Sequence, residues 1–238
     1  MNIIDFAVLF ILLLYVLNGL HKGFLASLLN LGGLFFSWLG AFLCYPLLSR
    51  AFAKSDFFSS FRFYIEGAEK VNNYEMVNVP VSSLSSADIT SIMEKAKLSS
   101  PYHRTILHNL ETQAFAKDGL TTVGEYFDMT IYCVILNILA FLLIFLLLRV
   151  LFTLLTNAYS YSRELPQLSR FDALSGGSIA LLRGFFSMHV VFMVIPMLLI
   201  LMPVSQLTDF LNSSLTTSLF YSHSAILPFI LGRICRGE

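Results

Sequence analysis

Four long apolar segments dominate this chain and limit what it can fold into. They cover residues 3–20, 24–48, 130–155 and 178–202. An α-helix needs about 18 to 20 mostly apolar residues to cross the hydrocarbon core of a bilayer, and each segment is long enough to do so. We therefore predict an all-α, polytopic integral membrane protein with four transmembrane helices arranged in two hairpins.

The composition fits a membrane protein and argues against other classes. Hydrophobic residues make up 56% of the chain and charged residues 13%, whereas soluble domains carry about 25% charged residues. The formal net charge is zero, so we expect no nucleic-acid partner. We expect the lipid bilayer as a partner and no cofactor. The first segment has no basic region before it and no small-residue cleavage site after it, so we interpret it as a span rather than a signal peptide.

The segments divide the chain into four regions. Residues 1–48 form a first transmembrane hairpin, 49–129 an extracytoplasmic helical loop, 130–203 a second transmembrane hairpin and 204–238 an amphipathic interfacial tail. Pro196 lies inside the last apolar segment, where it removes a helical hydrogen bond and predicts a kink.

Local signals predict short helices in the loop and in the tail. Ser85 or Ser86 is a suitable N-cap for one loop helix, and Pro101 suits the first turn of a second one that ends at Gly119. After Pro203, apolar residues recur at helical spacing opposite polar ones, which is typical of a helix lying on a membrane surface. These residues are Leu207, Phe210, Leu211, Leu215 and Leu219.

The basic residues indicate an orientation in the membrane. Five of them lie in or near the two short connections: Lys22, Arg149, Arg163, Arg170 and Arg183. The long loop and the tail also carry basic residues, but long loops weigh little in the positive-inside rule. We therefore expect the short loops in the cytoplasm and both termini outside.

No catalytic or metal-binding motif is present in the sequence, so we expect a protein that is not an enzyme. Polar residues inside the apolar segments are the remaining candidates for function. His189 either relays protons or, more simply, stays neutral and donates a hydrogen bond to a facing helix. Asn137 is expected to make the same kind of interhelical contact.

Charged residues near the ends of the segments each have two interpretations. Arg149 and Arg183 either reach to the interface as topology anchors or form an ion-paired cluster with Asp172. Asp5 is either an interfacial residue or docks the outer loop or the tail.

Small residues recur at close spacing around the first connection and along the second and fourth segments. Residues of this size let two helices approach closely, within one chain as the simpler interpretation or between the chains of a homo-oligomer as the alternative. They are Gly19, Gly23, Ala26, Gly33, Ser37, Ala41, Gly176, Ala180 and Gly184.

Two of the three cysteines are expected at similar depth in the membrane. Cys44 lies near the end of the second segment and Cys133 near the start of the third. We interpret them as two buried thiols, with a bridge between them as the alternative.

Short motifs in this chain resemble the colicin V production protein family. They are Ile4-Asp5, His21-Lys22-Gly23-Phe24, Asp172-Ala-Leu-Ser-Gly176 and Leu182-Arg183-Gly184. Their order and spacing extend the resemblance over residues 3–45 and 130–203, and the long loop resembles the extended form found in Gram-positive bacteria. The chain departs from the family where it has Lys22 and Ala173 in place of arginines and Ala180 in place of a glycine.

The resemblance implies a bacterial plasma-membrane protein with a role in toxin or peptide secretion or in envelope homeostasis. Such a role rests on contacts between helices and with a partner, either a second copy or another membrane or envelope protein. The alternative function is a small oligomeric transporter or channel module. That alternative requires His189, Asn137 and Arg183 to face a cavity.

Overall fold

The protein is helical in a computed structural model that describes residues 2–65, 67–96, 98, 100–162, 171–201, 205–222, 224 and 230. No β-strand occurs within those ranges, so the predicted all-α class is confirmed. Short 3₁₀ turns lie between some of the helices. The α-helices are α1 (Ile3–Ala53), α2 (Asp56–Phe61), α3 (Tyr74–Val77), α4 (Ser86–Lys95), α5 (Ser100–Glu111), α6 (Val123–Ser162), α7 (Asp172–Phe192), α8 (Ile195–Leu201), α9 (Ser205–Asn212) and α10 (Leu215–Thr217).

Three helical stretches of the described chain are long and apolar enough to cross a membrane. They are Ile3–Ala53, Val123–Ala158 and Asp172–Ile200. Many of their large side chains point outward; Leu147, for example, is 71% exposed. An apolar surface of this extent is unfavourable in water and suits lipid. The described helices are thus compatible with the predicted membrane protein.

Helix α1 is interrupted at Gly23, which has φ 80° and ψ 177°. We call residues 3–22 the first arm of α1 and residues 24–53 its second arm. Along the first arm Gly19 contacts Gly176 and Tyr15 contacts Gly184, so this arm runs antiparallel to α7.

The second arm runs the other way along the same helix. Gly23, where this arm begins, contacts Gly176, and farther on Phe35 packs on Phe186 with ring centroids 5.1 Å apart. The second arm and α7 therefore run parallel to each other. Since the first arm is antiparallel to α7, the two arms are antiparallel to each other.

The chain forms two compact units. The first, which we call the hairpin unit, comprises Met1–Tyr45, Phe141–Ile195 and Met202–Ser224. The second, which we call the loop unit, comprises Pro46–Ala140, Pro196–Leu201 and Ala225–Glu238.

The loop unit contains both of the short helices predicted between the apolar segments. Ser85 is the N-cap of α4 and forms a capping box with Asp88, whose pKa is lowered by the hydrogen bonds from Ser85. Helix α5 ends at Glu111 rather than at Gly119. Gly119 instead closes a 3₁₀ turn in a left-handed conformation, for which glycine has no steric penalty.

The last long helical stretch is broken near Pro196, as predicted. Helix α7 ends at Phe192, a turn follows at Met193 and Val194, and α8 begins at Ile195. Pro196 thus lies in the first turn of a new helix, where its missing N–H group costs no hydrogen bond.

The tail is not the single amphipathic helix that the spacing predicts. Helix α9 ends at Asn212, and Ser214 caps the separate short helix α10 by accepting a hydrogen bond from the Thr217 N–H group. The predicted apolar stripe is therefore interrupted. Leu211 is buried, but Leu215 is 67% exposed.

Candidate functional site

In the hairpin unit, Asp172 is the residue that holds the start of the second arm. Its Oδ2 atom accepts a hydrogen bond from the Phe24 N–H group, with 3.3 Å between nitrogen and oxygen. A carboxylate is favourable there because the N-terminus of a helix carries partial positive charge. The same oxygen occupies the space that a Cβ atom on Gly23 would need. We call Gly23, Phe24, Asp172 and Gly176 the helix junction.

Glycines let the helices of the hairpin unit approach each other closely. A Cβ atom on Gly176 would lie 2.5 Å from the Gly19 carbonyl oxygen, and one on Gly184 would lie 3.0 Å from Leu12 and Tyr15. The neighbouring Ala180 is fully buried. The predicted use of small residues for packing within one chain is therefore confirmed.

Asp5 anchors the tail to the first arm of α1. Its carboxylate accepts hydrogen bonds from the Ser214 hydroxyl group at 2.8 Å and from the Thr216 N–H and hydroxyl groups at 2.9 and 2.8 Å. The N–H group of Asn2 donates to the other oxygen at 2.8 Å. The side chain is only 1% exposed. Of the two interpretations of Asp5, docking of the tail is correct.

Three cationic side chains line one cavity of the hairpin unit. Lys22, Arg149 and Arg183 surround a volume of about 360 Å³, which we call the cation cavity. No acidic residue is among its lining residues in the described chain. The cavity therefore offers positive charge to anything that enters it.

Neutral polar groups complete the lining of the cation cavity. Tyr15, Asn18, Asn30 and Thr153 contribute a phenol, two amides and a hydroxyl group. The backbone carbonyl oxygen of Asn30 accepts a hydrogen bond of 3.2 Å from a guanidinium nitrogen of Arg149. This hydrogen bond holds Arg149 in place, and the other polar groups lie around it on the lining of the cavity.

Arg183 is the most buried of the three cations. Its side chain is 7% exposed, and its guanidinium carbon lies 4.9 Å from the centroid of the Tyr15 ring. Its Nε atom has no hydrogen-bond partner. The predicted ion-paired cluster with Asp172 is wrong within the described residues, because Arg183 faces Tyr15 and Asp172 bonds to the start of the second arm.

We expected His189 to donate a hydrogen bond to a facing helix, but its ring contacts a carbonyl oxygen of its own helix. Its Nδ1 atom lies 3.1 Å from the carbonyl oxygen of Phe185, one turn earlier on the same helix. The imidazole ring packs among aromatic rings, with the centroids of Phe185 and Phe220 each 4.9 Å away. It is not among the lining residues of the cation cavity.

Asn137 belongs to the loop unit and links helices there, as predicted. Its Oδ1 atom accepts a hydrogen bond of 2.5 Å from the Ser49 hydroxyl group of α1, and its amide nitrogen donates to the Ile230 carbonyl oxygen at 3.4 Å. Both donor and acceptor atoms of the side chain are thus used in packing.

The two membrane cysteines differ from each other. Cys133 is buried and disulfide-bonded, whereas Cys44 is free and exposed. Both interpretations offered by the sequence are therefore wrong, because Cys133 is not a free thiol and Cys44 is not its partner. Cys235, Arg163 and Arg170 lie outside the described residues.

The sequence analysis grouped Arg149 and Arg183 with Asp172 but did not predict their grouping with Lys22. Lys22, Arg149 and Arg183 were considered for orientation, and nothing in their spacing shows that they line one cavity. Tyr15 was not singled out at all, since a tyrosine within an apolar segment resembles ordinary core packing. No group of three or more residues suited to hold a metal ion occurs in the described chain.

Comparison with known proteins gives no assignment. No protein-family model matches the chain, and neither curated proteins nor solved structures give a match.

Proposed function

We propose that the chain is a four-span protein of a bacterial plasma membrane, similar to the colicin V production proteins. In this proposal it assists secretion of a peptide or toxin, or envelope homeostasis, through helix contacts and a protein partner, without catalysis. The short connections face the cytoplasm, and both termini lie outside.

The length of α1 supports four spans. A straight helix of 51 residues extends over roughly 76 Å, more than twice the hydrocarbon thickness of a bilayer. The interruption at Gly23 and the antiparallel course of the two arms let α1 cross twice. Together with α6 and α7, this gives four crossings.

The helix junction is the observation on which the proposed relationship rests. The motif around Gly23 and the motif from Asp172 to Gly176 are far apart in sequence, yet they meet through the hydrogen bond from Phe24 to Asp172. Gly184, in the motif Leu182-Arg183-Gly184, packs against the first arm. Residues of three of the four motifs thus take part in the packing of α1 against α7.

The transporter alternative has less support. Of the three residues that it requires in a cavity, Arg183 lines the cation cavity. His189 packs among phenylalanines, and Asn137 is hydrogen-bonded within the loop unit. A continuous polar path through these three residues is therefore not favoured.

The proposed function predicts a cellular phenotype that depends on the helix junction. Deletion of the gene from its host is expected to reduce release of secreted peptides or to admit a DNA dye that intact cells exclude. Wild-type protein and the Gly32→Ala variant are expected to restore the phenotype, since a Cβ atom on Gly32 meets no other atom within 4 Å. The Gly23→Ala variant is expected to fail.

Secretion assays and dye entry provide the measurement, with protein levels checked by immunoblotting. A deletion strain that secretes and excludes dye as well as its parent would contradict the proposal.

A further inference from the structure

One buried and one half-buried guanidinium group line the cation cavity, and no acidic residue of the described chain lines it with them. The Arg183 guanidinium group lies over the ring of Tyr15, and Arg149 donates a hydrogen bond to the backbone carbonyl oxygen of Asn30. None of these is a carboxylate, and Asp172 bonds to the start of the second arm instead. The part of the chain that the structure describes therefore supplies no counter-ion to the two arginines of this cavity.

Such an arrangement is costly in a protein that sits in a membrane. Burial removes water from a charged group, and a like charge nearby adds repulsion. The Nε–H group of Arg183 is also left without an acceptor. A buried donor that finds no acceptor in the protein is expected to find one in a ligand or in water.

The chemistry of the cavity favours a phosphate group over other anions. The planar guanidinium fork matches the oxygens of a phosphate group, and Arg149 and Arg183 supply two such forks. Lys22 adds a third positive charge. Three cations exceed what a single carboxylate can balance, whereas a phosphate monoester carries close to two negative charges at neutral pH.

We propose that the cation cavity is a binding site for a phosphate monoester group, carried either by a lipid headgroup or by a small soluble phosphate compound. Arg149 and Arg183 bind the phosphate oxygens, and Lys22 contributes charge at the end of the cavity nearest Gly23. Asn18 lies on the lining as a further hydrogen-bonding group, whereas the Thr153 hydroxyl group donates to the Arg149 carbonyl oxygen.

The residues that line the cation cavity change from polar to apolar along the first arm. Lys22 is next to the interruption at Gly23, whereas Leu14 and Ile11 lie farther along the arm, with Ile11 roughly 16 Å from Lys22. A molecule with a phosphate at one end and an apolar chain at the other matches this order. A free phosphate ion would use the polar part alone.

Binding to the full chain in dodecyl maltoside, a detergent without phosphate, tests the proposal. Phosphatidic acid and diacylglycerol are compared by native mass spectrometry, because they differ only in the phosphate group. Inorganic phosphate is titrated separately by calorimetry against chloride at equal ionic strength. We expect phosphatidic acid or inorganic phosphate to bind at one site per chain, and diacylglycerol to bind neither tightly nor stoichiometrically.

Variants locate the binding in the cation cavity. The double variant Arg149→Gln with Arg183→Gln is expected to weaken binding by about tenfold or more. Arg104→Gln is the matched control, because Arg104 is exposed on α5 and does not line the cavity. Lys22→Gln changes an exposed residue and is expected to weaken binding without affecting folding, so it serves where the double variant fails to fold.

Each outcome bears on the proposal. Binding of phosphatidic acid alone identifies a lipid as the source of the phosphate, and binding of inorganic phosphate identifies a soluble compound. The proposal is overturned if neither binds above the diacylglycerol and chloride controls. It is also overturned if Lys22→Gln and the folded double variant bind as tightly as Arg104→Gln.

Discussion

Among single substitutions at the helix junction, Gly23→Ala is expected to destabilise the protein most. With φ 80° and ψ 177°, residue 23 occupies a backbone region that is essentially restricted to glycine, and a side chain there costs about 1 to 3 kcal/mol. The added Cβ atom also collides with the carboxylate of Asp172. Crowding of this kind adds a further cost of about 1 to 3 kcal/mol.

The measurement is thermal unfolding of the purified protein in detergent, followed by fluorescence-detected size-exclusion chromatography. A total loss of about 2 kcal/mol or more corresponds to a fall in melting temperature of roughly 5 °C or more for a chain of this size. Gly32→Ala is the matched control in the second arm, because its Cβ atom enters open space. An equal effect of both substitutions would contradict the account of the junction.

A double-mutant cycle separates the strained backbone from the contact with Asp172. Asp172→Ala removes the acceptor for the Phe24 N–H group, so it is destabilising alone. In the Gly23→Ala background the carboxylate is already displaced, so the same substitution is expected to cost less. Strict additivity of the two substitutions would show that the two residues do not interact.

Asp5→Ala is expected to release the tail from the first arm. The substitution removes the charged acceptor for Ser214 and for both donor groups of Thr216, and leaves the two hydroxyl groups only their contact with each other at 3.0 Å. The tail then keeps its apolar contacts and the hydrogen bonds from the Asn2 amide to the Phe210 carbonyl oxygen and the Ser213 hydroxyl group. Local opening of this segment should rise by about tenfold or more, because hydrogen bonds to a charged acceptor are among the stronger ones.

Limited proteolysis with chymotrypsin measures this opening, since the segment contains Phe210, Leu211 and Tyr221. Asp209→Ala is the matched control, because Asp209 is an exposed acidic residue of α9 itself. Cleavage within residues 205–222 should accelerate for Asp5→Ala and stay unchanged for Asp209→Ala. If Asp5→Ala is cleaved at the wild-type rate, the carboxylate does not hold the tail.

Local patterns in the sequence predicted the helices well. Long apolar segments predict long helices because each needs only a continuous lipid-compatible surface. The cap at Ser85 and the break near Pro196 were predictable for the same reason, since each depends on neighbouring residues. The predicted positions at which helices begin were less accurate. Helix α6 begins at Val123, ahead of the apolar segment that marks it, because its first turns are stabilised by packing within the loop unit.

Features that depend on distant residues were not predictable from local patterns. The tail breaks at Ser214, whose hydroxyl group bonds to Asp5 at the other end of the chain. His189 faces aromatic rings because Phe220 of the tail packs against it. The cation cavity likewise draws Lys22, Arg149 and Arg183 from three helices. The spacing of residues along one helix carries no information about contacts with residues that are distant in the sequence.

Membrane-impermeant maleimide labelling in whole cells tests the four-span arrangement most directly. A cysteine is placed at His21, beside the interruption in α1, or at Arg104 on α5; both residues are outside the buried core. The parent protein controls for its native cysteines. We predict that the cysteine at position 104 is labelled in intact cells, whereas the cysteine at position 21 is labelled only after the membrane is permeabilised. Equal labelling of both positions in intact cells would place them on one side of the membrane and contradict two crossings by α1.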